Sequence, residues 1–165
     1  MKKILSILLC VTITTLSVAQ TNLEKILFEK ICDYRYSKGL SCWTWDDDIW
    51  YVSDTHNDYQ IDEGEIGHYE SDYDKGSVGR RYTYYNIEWN YAGENCAVVN
   101  SYDKSEEEIA STILANWIKS PPHLKLLLSK QGKFGAVTCT LTYHYKWSKD
   151  HPWTYATLNV LNVYN

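Results

Sequence analysis

The chain has 165 residues, with 15 Tyr and 7 Trp against only 2 Phe, and its 16 Lys and Arg face 21 Asp and Glu. That length suits one domain of ordinary size with its own core. The acidic balance disfavours nucleic acid and anionic membrane surfaces as partners, since both require a basic footprint.

The N-terminus reads as an address. Lys2 and Lys3 precede an uncharged apolar run from Ile4 to Val11, and Ser17-Val18-Ala19 places small residues where a signal peptidase reads. This predicts a Sec-type signal peptide over residues 1–19 and a single domain over residues 20–165. The run is too short for a membrane anchor, which needs ~20 apolar residues, and Leu9 stands where a lipoprotein box before Cys10 requires a small residue. The expectation is a soluble protein, secreted or periplasmic, with no transmembrane segment in the mature chain. Losing Lys2 and Lys3 leaves 14 basic residues against 21 acidic ones, a formal charge of −7. Cys10 leaves with the leader, so Cys32, Cys42, Cys96 and Cys139 remain. An even count in an exported protein predicts two disulfides, with three possible pairings. Cys32–Cys42 with Cys96–Cys139 is favoured, because the first bridge staples a helix to its following turn.

The first helix is announced by the capping box Thr21-x-x-Glu24 and a stripe of Leu23, Ile26, Leu27, Ile31 and Tyr34, with Gly39 as a stop. A second opens on Asp46, Asp47 and Asp48, acids that suit a helix N-terminus, and turns Ile49, Val52, His56 and Tyr59 inward. Residues 62–99 are polar, Tyr-rich and without clear period, and such long irregular stretches in a compact domain are often functional. A third helix has the box Ser105-x-x-Glu108 and the stripe Ile109, Ile113 and Trp117; Ser120-Pro121-Pro122 ends it and starts a short turn or helix over residues 123–130. Residues 134–145 and 154–164 alternate, Val137, Cys139, Leu141 and Tyr143 on one face of the first and Ala156, Leu158 and Val160 on one face of the second, which predicts an antiparallel hairpin.

Four local patterns fall in one order. Trp45-Asp46 is followed by His56 and then His68; Gly93-Glu94-Asn95-Cys96-Ala97 comes next; then Trp117-Ile118-Lys119-Ser120-Pro121-Pro122-His123; and last Phe134-Gly135-Ala136-Val137 with Tyr155-Ala156-Thr157-Leu158. This series resembles the CAP superfamily (SCP-type domains), in particular its bacterial branch, over essentially the whole mature chain. The resemblance implies an α+β fold, a three-layer α-β-α sandwich around a small antiparallel sheet. It also implies a polar cavity of His68, Glu94 and His123, with Asn95, Trp117 and Ser120 shaping it, and a divalent metal, zinc among the choices, on His68 and His123. Two imidazoles make an incomplete zinc site, since zinc takes three or four protein ligands. Animal and plant members place a second Glu on the Trp117 helix, which this chain, like the bacterial members, lacks. It departs from the bacterial block in carrying Pro122 for Gly, Leu124 for the usual Arg and Leu126 for the frequent Asn.

His56 reads as a packing histidine outside the site, and His144 and His151 as surface residues of the hairpin. Two functional classes follow. One is a binding or interaction module for an extracellular lipid, glycan or protein. The other is a zinc-dependent hydrolase, a peptidase or esterase, with Glu94 as general base. No HExxH helix supplies the usual metalloprotease geometry, and Ser120 lacks the base-and-orienter chain a nucleophile needs, so the binding module is the favoured class.

Overall fold

The computed structural model describes residues 20–143 and 150–163. The expected signal peptide and His144 lie outside the described residues.

Helix α1 (Asn22–Ser37) starts on the expected capping box, with both reciprocal bonds between Thr21 and Glu24 formed. It ends before Gly39, whose φ of 71° is readily adopted only by glycine. A two-residue strand β1 (Thr44–Trp45) leads into α2 (Asp47–Glu63), capped by Asp46 through its bonds to the Asp48 and Ile49 amides. Cys32 and Cys42 are disulfide-bonded with Cα atoms 4.8 Å apart, which ties α1 to the segment before β1. Helix α4 (Glu106–Lys119) carries the second capping box, and α5 (Pro121–Leu127) begins directly on its two prolines. Proline suits the first turn of a helix because the missing N–H would have no intrahelical partner there.

The expected hairpin forms. Strand β3 (Phe134–Thr142) pairs antiparallel with β4 (Trp153–Asn162), Val137 opposite Leu158. The region read as irregular holds more structure than its sequence suggests. It contains a 3₁₀ turn (Tyr73–Lys75), a helix α3 (Val78–Tyr84) and a ten-residue strand β2 (Tyr91–Asn100) antiparallel to β4. The sheet order is β1-β3-β4-β2, so β2 is an edge strand. The sheet is mixed rather than purely antiparallel, because β1 runs parallel to β3.

The two faces of the sheet bury different chemistry. On one, Leu27 and Ile31 of α1 and Ile113 and Trp117 of α4 pack on Ala97, Val137, Ala156, Leu158 and Val160. On the other lie α2 and α3. There an apolar cluster of Ile49, Val52, Tyr82, Ala136 and Leu161 adjoins a polar layer. In that layer Asn57 Nδ2 donates to the Tyr155 carbonyl (3.1 Å), Gln60 Nε2 to Thr157 Oγ1 (3.1 Å), and Thr157 Oγ1 to Asn57 Oδ1 (2.7 Å). The architecture is the expected three-layer α-β-α sandwich.

The register corrects the second disulfide. Cys96 on β2 lies opposite Thr157, and Cys139 on β3 lies opposite Ala156. Adjacent residues of β4 point to opposite faces, so the two cysteines do as well, across two strand spacings of about 4.8 Å each. A disulfide needs Cα atoms within about 7 Å. Both thiols are free, Cys96 facing the polar layer and Cys139 packing on the apolar one.

Candidate functional site

The site sits at the open edge of the sheet, where α5 approaches β2 from the apolar side and residues 67–70 approach from the polar side. Glu94 and Cys96 point toward the polar layer, and Gly93, Asn95 and Ala97 toward the other. Asn95 is buried and its Nδ2 donates to the His123 carbonyl (3.0 Å), which fixes the start of α5 against β2. Gly93 permits that approach, because a Cβ there would lie 2.5 Å from Leu126 Cδ1. Leu126 and Leu127 of the apolar run are buried, so much of its oiliness is spent on packing. Trp117 is fully buried behind β2 and donates from Nε1 to the Cys96 carbonyl (3.1 Å). Ser120 joins α4 to α5 without a side-chain cap bond. These two residues support the cleft rather than line it.

His68 is placed by its neighbours' backbone contacts. Gly67 N donates to Gln60 Oε1 (3.1 Å), His56 Nε2 lies 3.0 Å from the Gly67 carbonyl, and Arg81 donates to the His68 carbonyl (3.3 Å). The imidazole then reaches Glu94 Oε1 through Nδ1 at 3.1 Å, and its ring centroid stands 6.3 Å from that of His123. His68, Glu94 and His123 therefore converge on one cleft of about 670 Å³, whose walls also include Tyr91, Lys125 and Leu128.

Behind the cleft is a buried ionic cluster. The Glu94 side chain is 2 % exposed; Arg81 grips its Oε2 while His68 holds Oε1. Arg81 is fully buried and its Nε lies 3.7 Å from Glu70 Oε1. His56 is also fully buried, with Nδ1 2.9 Å from Glu70 Oε1 and Nε2 3.7 Å from Glu94 Oε1. Burial alone would push the Glu94 carboxyl up, but the hydrogen bond from His68 and the charges of Arg81 and His56 outweigh it and hold the group below its ordinary value. Burial, and then the adjacent His68, hold His123 below the ordinary histidine value, which keeps its imidazole neutral at neutral pH. Burial, reinforced by Glu94, pushes the Cys96 thiol well up, so it is no thiolate nucleophile.

His56 is a satisfied buried histidine, as its helical position suggested, yet it belongs to this cluster rather than to ordinary packing. Arg81 and Glu70 were not singled out from the sequence. Arg81 lies on a seven-residue helix too short to show a period, and Ser77 before it has no acidic partner at the third helical position to mark a capping box.

The His68–His123 pair fits a metal only loosely. With Zn–N near 2.1 Å, two tetrahedral imidazoles have centroids roughly 5 Å apart, so the rings would need to close by about 1 Å. His68 nevertheless has the outer-shell arrangement typical of a ligating histidine, one nitrogen held by a carboxylate and the other left for an ion.

No family model matches the chain, and no curated protein does. Solved structures do resemble it. An outer surface protein from Borrelia burgdorferi aligns at 14% identity and a TM-score of 0.65, over 88% of this chain and 97% of that one. An extracellular protein containing a SCP domain from Bacillus anthracis aligns at 20% identity and 0.64, over 88% of this chain and 45% of that one. A cysteine-rich secretory protein from Staphylococcus aureus aligns at 16% identity and 0.59, over 85% of this chain and 38% of that one. The chain thus spans less than half the length of the last two. Its fold is the SCP-type fold found in bacterial proteins of the CAP superfamily.

Proposed function

We propose that this chain is an exported binding module whose cleft takes a small amphipathic ligand bearing an anionic group. The observation that carries the reading is the engagement of Glu94. A general base works best with a pKa near the operating pH and with reach to a substrate proton. Glu94 has both oxygens occupied, by Arg81 and His68, and its carboxyl is held below its ordinary value. That speaks against the zinc-hydrolase alternative.

The cleft walls indicate the ligand class. Lys125 and Lys130 stand on its rim, and the one carboxylate in it, Glu94, is neutralised by Arg81. This is a cationic spot on a chain of net charge −5. Tyr91, Pro122, Leu126 and Leu128 supply apolar wall beside it. A carboxylate or phosphate headgroup fits the lysines and imidazoles, and an acyl or aromatic body fits the leucines; among lipid, glycan and protein ligands this favours the lipid class. A divalent ion on His68 and His123 would add a Lewis acid at the cleft floor. Export rests on the N-terminal pattern and is consistent with the Cys32–Cys42 disulfide. No helix among the described residues is long and apolar enough to cross a membrane.

Calorimetric titration with oleate tests the reading. Saturable binding should weaken about tenfold, or ~1.4 kcal/mol, in the charge-reversed Lys125→Glu, Lys130→Glu protein. Binding indifferent to that reversal, or no saturable binding, would overturn the ligand assignment. Ester or peptide hydrolysis lost in Glu94→Gln would replace the module by the hydrolase.

A further inference from the structure

A second constellation lies deeper than the cleft and does not include His123. His56 of α2 and Glu94 and Cys96 of β2 each present one donor atom, and these atoms lie within 4.8 Å of one another. Packing alone at Cys96 would be served by valine or isoleucine. Instead the sulfur faces a polar layer, 3.4 Å from the Gly67 carbonyl, 3.7 Å from Thr157 Oγ1 and 3.8 Å from His68 Nδ1.

We propose that His56, Glu94 and Cys96 form a binding site for a soft to borderline divalent metal of the zinc class, with His68 Nδ1 placed to supply a fourth ligand. The donor set is nitrogen, oxygen and sulfur, the combination that zinc accepts in closed structural sites. In a tetrahedral zinc site neighbouring donors stand roughly 3.3–3.8 Å apart. His56 Nε2 to Glu94 Oε1 is 3.7 Å, His68 Nδ1 to Cys96 Sγ is 3.8 Å and His68 Nδ1 to Glu94 Oε1 is 3.1 Å. Three edges of the polyhedron are therefore already near length.

The outer shell is built as well. Ligating histidines donate their other nitrogen to a carboxylate, and ligating carboxylates are themselves hydrogen-bonded. His56 Nδ1 is 2.9 Å from Glu70 Oε1, Arg81 holds Glu94 Oε2, and Oε1 would exchange its bond from His68 Nδ1 for the ion. The charges close. Glu70, Glu94 and a Cys96 thiolate carry three negative charges, which Arg81 and a divalent ion balance within a buried volume. Binding breaks the Cys96 S–H and His56 Nε2–H bonds, and both protons leave to solvent. Metal–sulfur and metal–nitrogen bonds form with no change of oxidation state, and the His68 Nδ1 proton passes to Nε2 as Nδ1 turns to the ion. His56 Nε2 turns from the Gly67 carbonyl to the ion. The ion would bridge α2, the loop carrying His68 and the edge strand β2, and so lock the back of the cleft.

Cobalt(II) is the probe, because thiolate coordination gives a near-ultraviolet charge-transfer band that a nitrogen–oxygen site lacks. The expected result for the folded domain at mildly alkaline pH is one equivalent of Co²⁺ bound with that band, displaced by Zn²⁺. Cys96→Val, which removes the thiol and keeps the volume, should abolish the band while retaining the native circular dichroism and melt. Cys139→Ser and His123→Ala should retain the band. Glu70→Gln should weaken binding roughly 10–100-fold. Absence of the band in the wild type, or its survival in Cys96→Val, would overturn the proposal. Co²⁺ uptake lost in His123→Ala but kept in Cys96→Val would also overturn it, by placing the ion on the cleft histidines. None of these outcomes depends on oleate binding, so this site and the cleft ligand stand or fall separately.

Discussion

The two faces of the sheet are stabilised in different ways. Against α1 and α4 the sheet meets leucine, isoleucine and tryptophan, and most of what holds that face is area removed from water. Against α2 it meets Asn57, Gln60, His56 and Asp54, and the strands there present the buried, hydrogen-bonded Thr138 and Thr157. Buried polar groups are tolerated only when paired, so this second face depends on mutual satisfaction rather than area. The difference shows where function can reside. An apolar face tolerates substitutions that keep volume, whereas a polar layer is expensive unless its geometry is held, and here it ends at the cleft with the Glu94 cluster.

The largest contrast should come from the apolar face. Trp117→Ala removes the largest fully buried side chain and should cost about 3–5 kcal/mol, read by urea denaturation. Trp117→Phe keeps most of the packing and loses the bond to the Cys96 carbonyl, about 1 kcal/mol. Equal losses in the two variants would mean that the hydrogen bond rather than the packing dominates, and the contrast between the faces would weaken.

A smaller effect is expected where the faces meet. Gly93→Ala forces Leu126 off its seat on β2 and should cost about 1–3 kcal/mol. Ligand affinity should fall with stability, because α5 carries His123 and Lys125. A variant of unchanged stability would show that α5 is not packed as closely as described.

A smaller effect still is expected at Asp54 of α2. Burial raises the Asp54 carboxyl above its ordinary value; the hydrogen bond from Thr138 Oγ1 (2.9 Å) opposes the rise, while Asp58 and Glu24 add to it. With the folded pKa above the unfolded one, the native state favours the proton. That contribution is full below the ordinary Asp value of about 3.9 and is lost as the pH rises through the raised value. Asp54→Asn should therefore be slightly more stable than wild type at neutral pH, with the difference vanishing in acid. Thermal melts across that range will show it, and a difference that instead grows in acid would reverse the assigned shift.

The elements legible in the sequence were those whose own residues specify them. Helices α1 and α4 carry both a capping box and an apolar stripe, and β3 and β4 alternate because one of their faces is uniformly apolar. Strand β2 was hidden because its two faces bury different things. Glu94 and Cys96 point to a polar layer and Asn95 to a backbone carbonyl, so no alternation appears in Gly-Glu-Asn-Cys. The same cause misled the second disulfide, since strand register, which local sequence does not encode, put Cys96 and Cys139 on opposite faces. His68, Glu94 and His123 were found through motif order, and the structure brings them to one cleft. Arg81, which grips Glu94, and Glu70, which holds His56 and Arg81, lie on short or irregular segments whose roles exist only through tertiary contact.

Glu94 is a clamped partner of Arg81 rather than a base poised for chemistry. A double-mutant cycle of Arg81→Met and Glu94→Gln, followed by urea denaturation, measures that pairing directly. Arg81→Met alone strands two buried carboxylates and should cost about 3–5 kcal/mol, with a substantial part recovered when Glu94→Gln is added. Costs that simply add, with no recovery in the double variant, would contradict it.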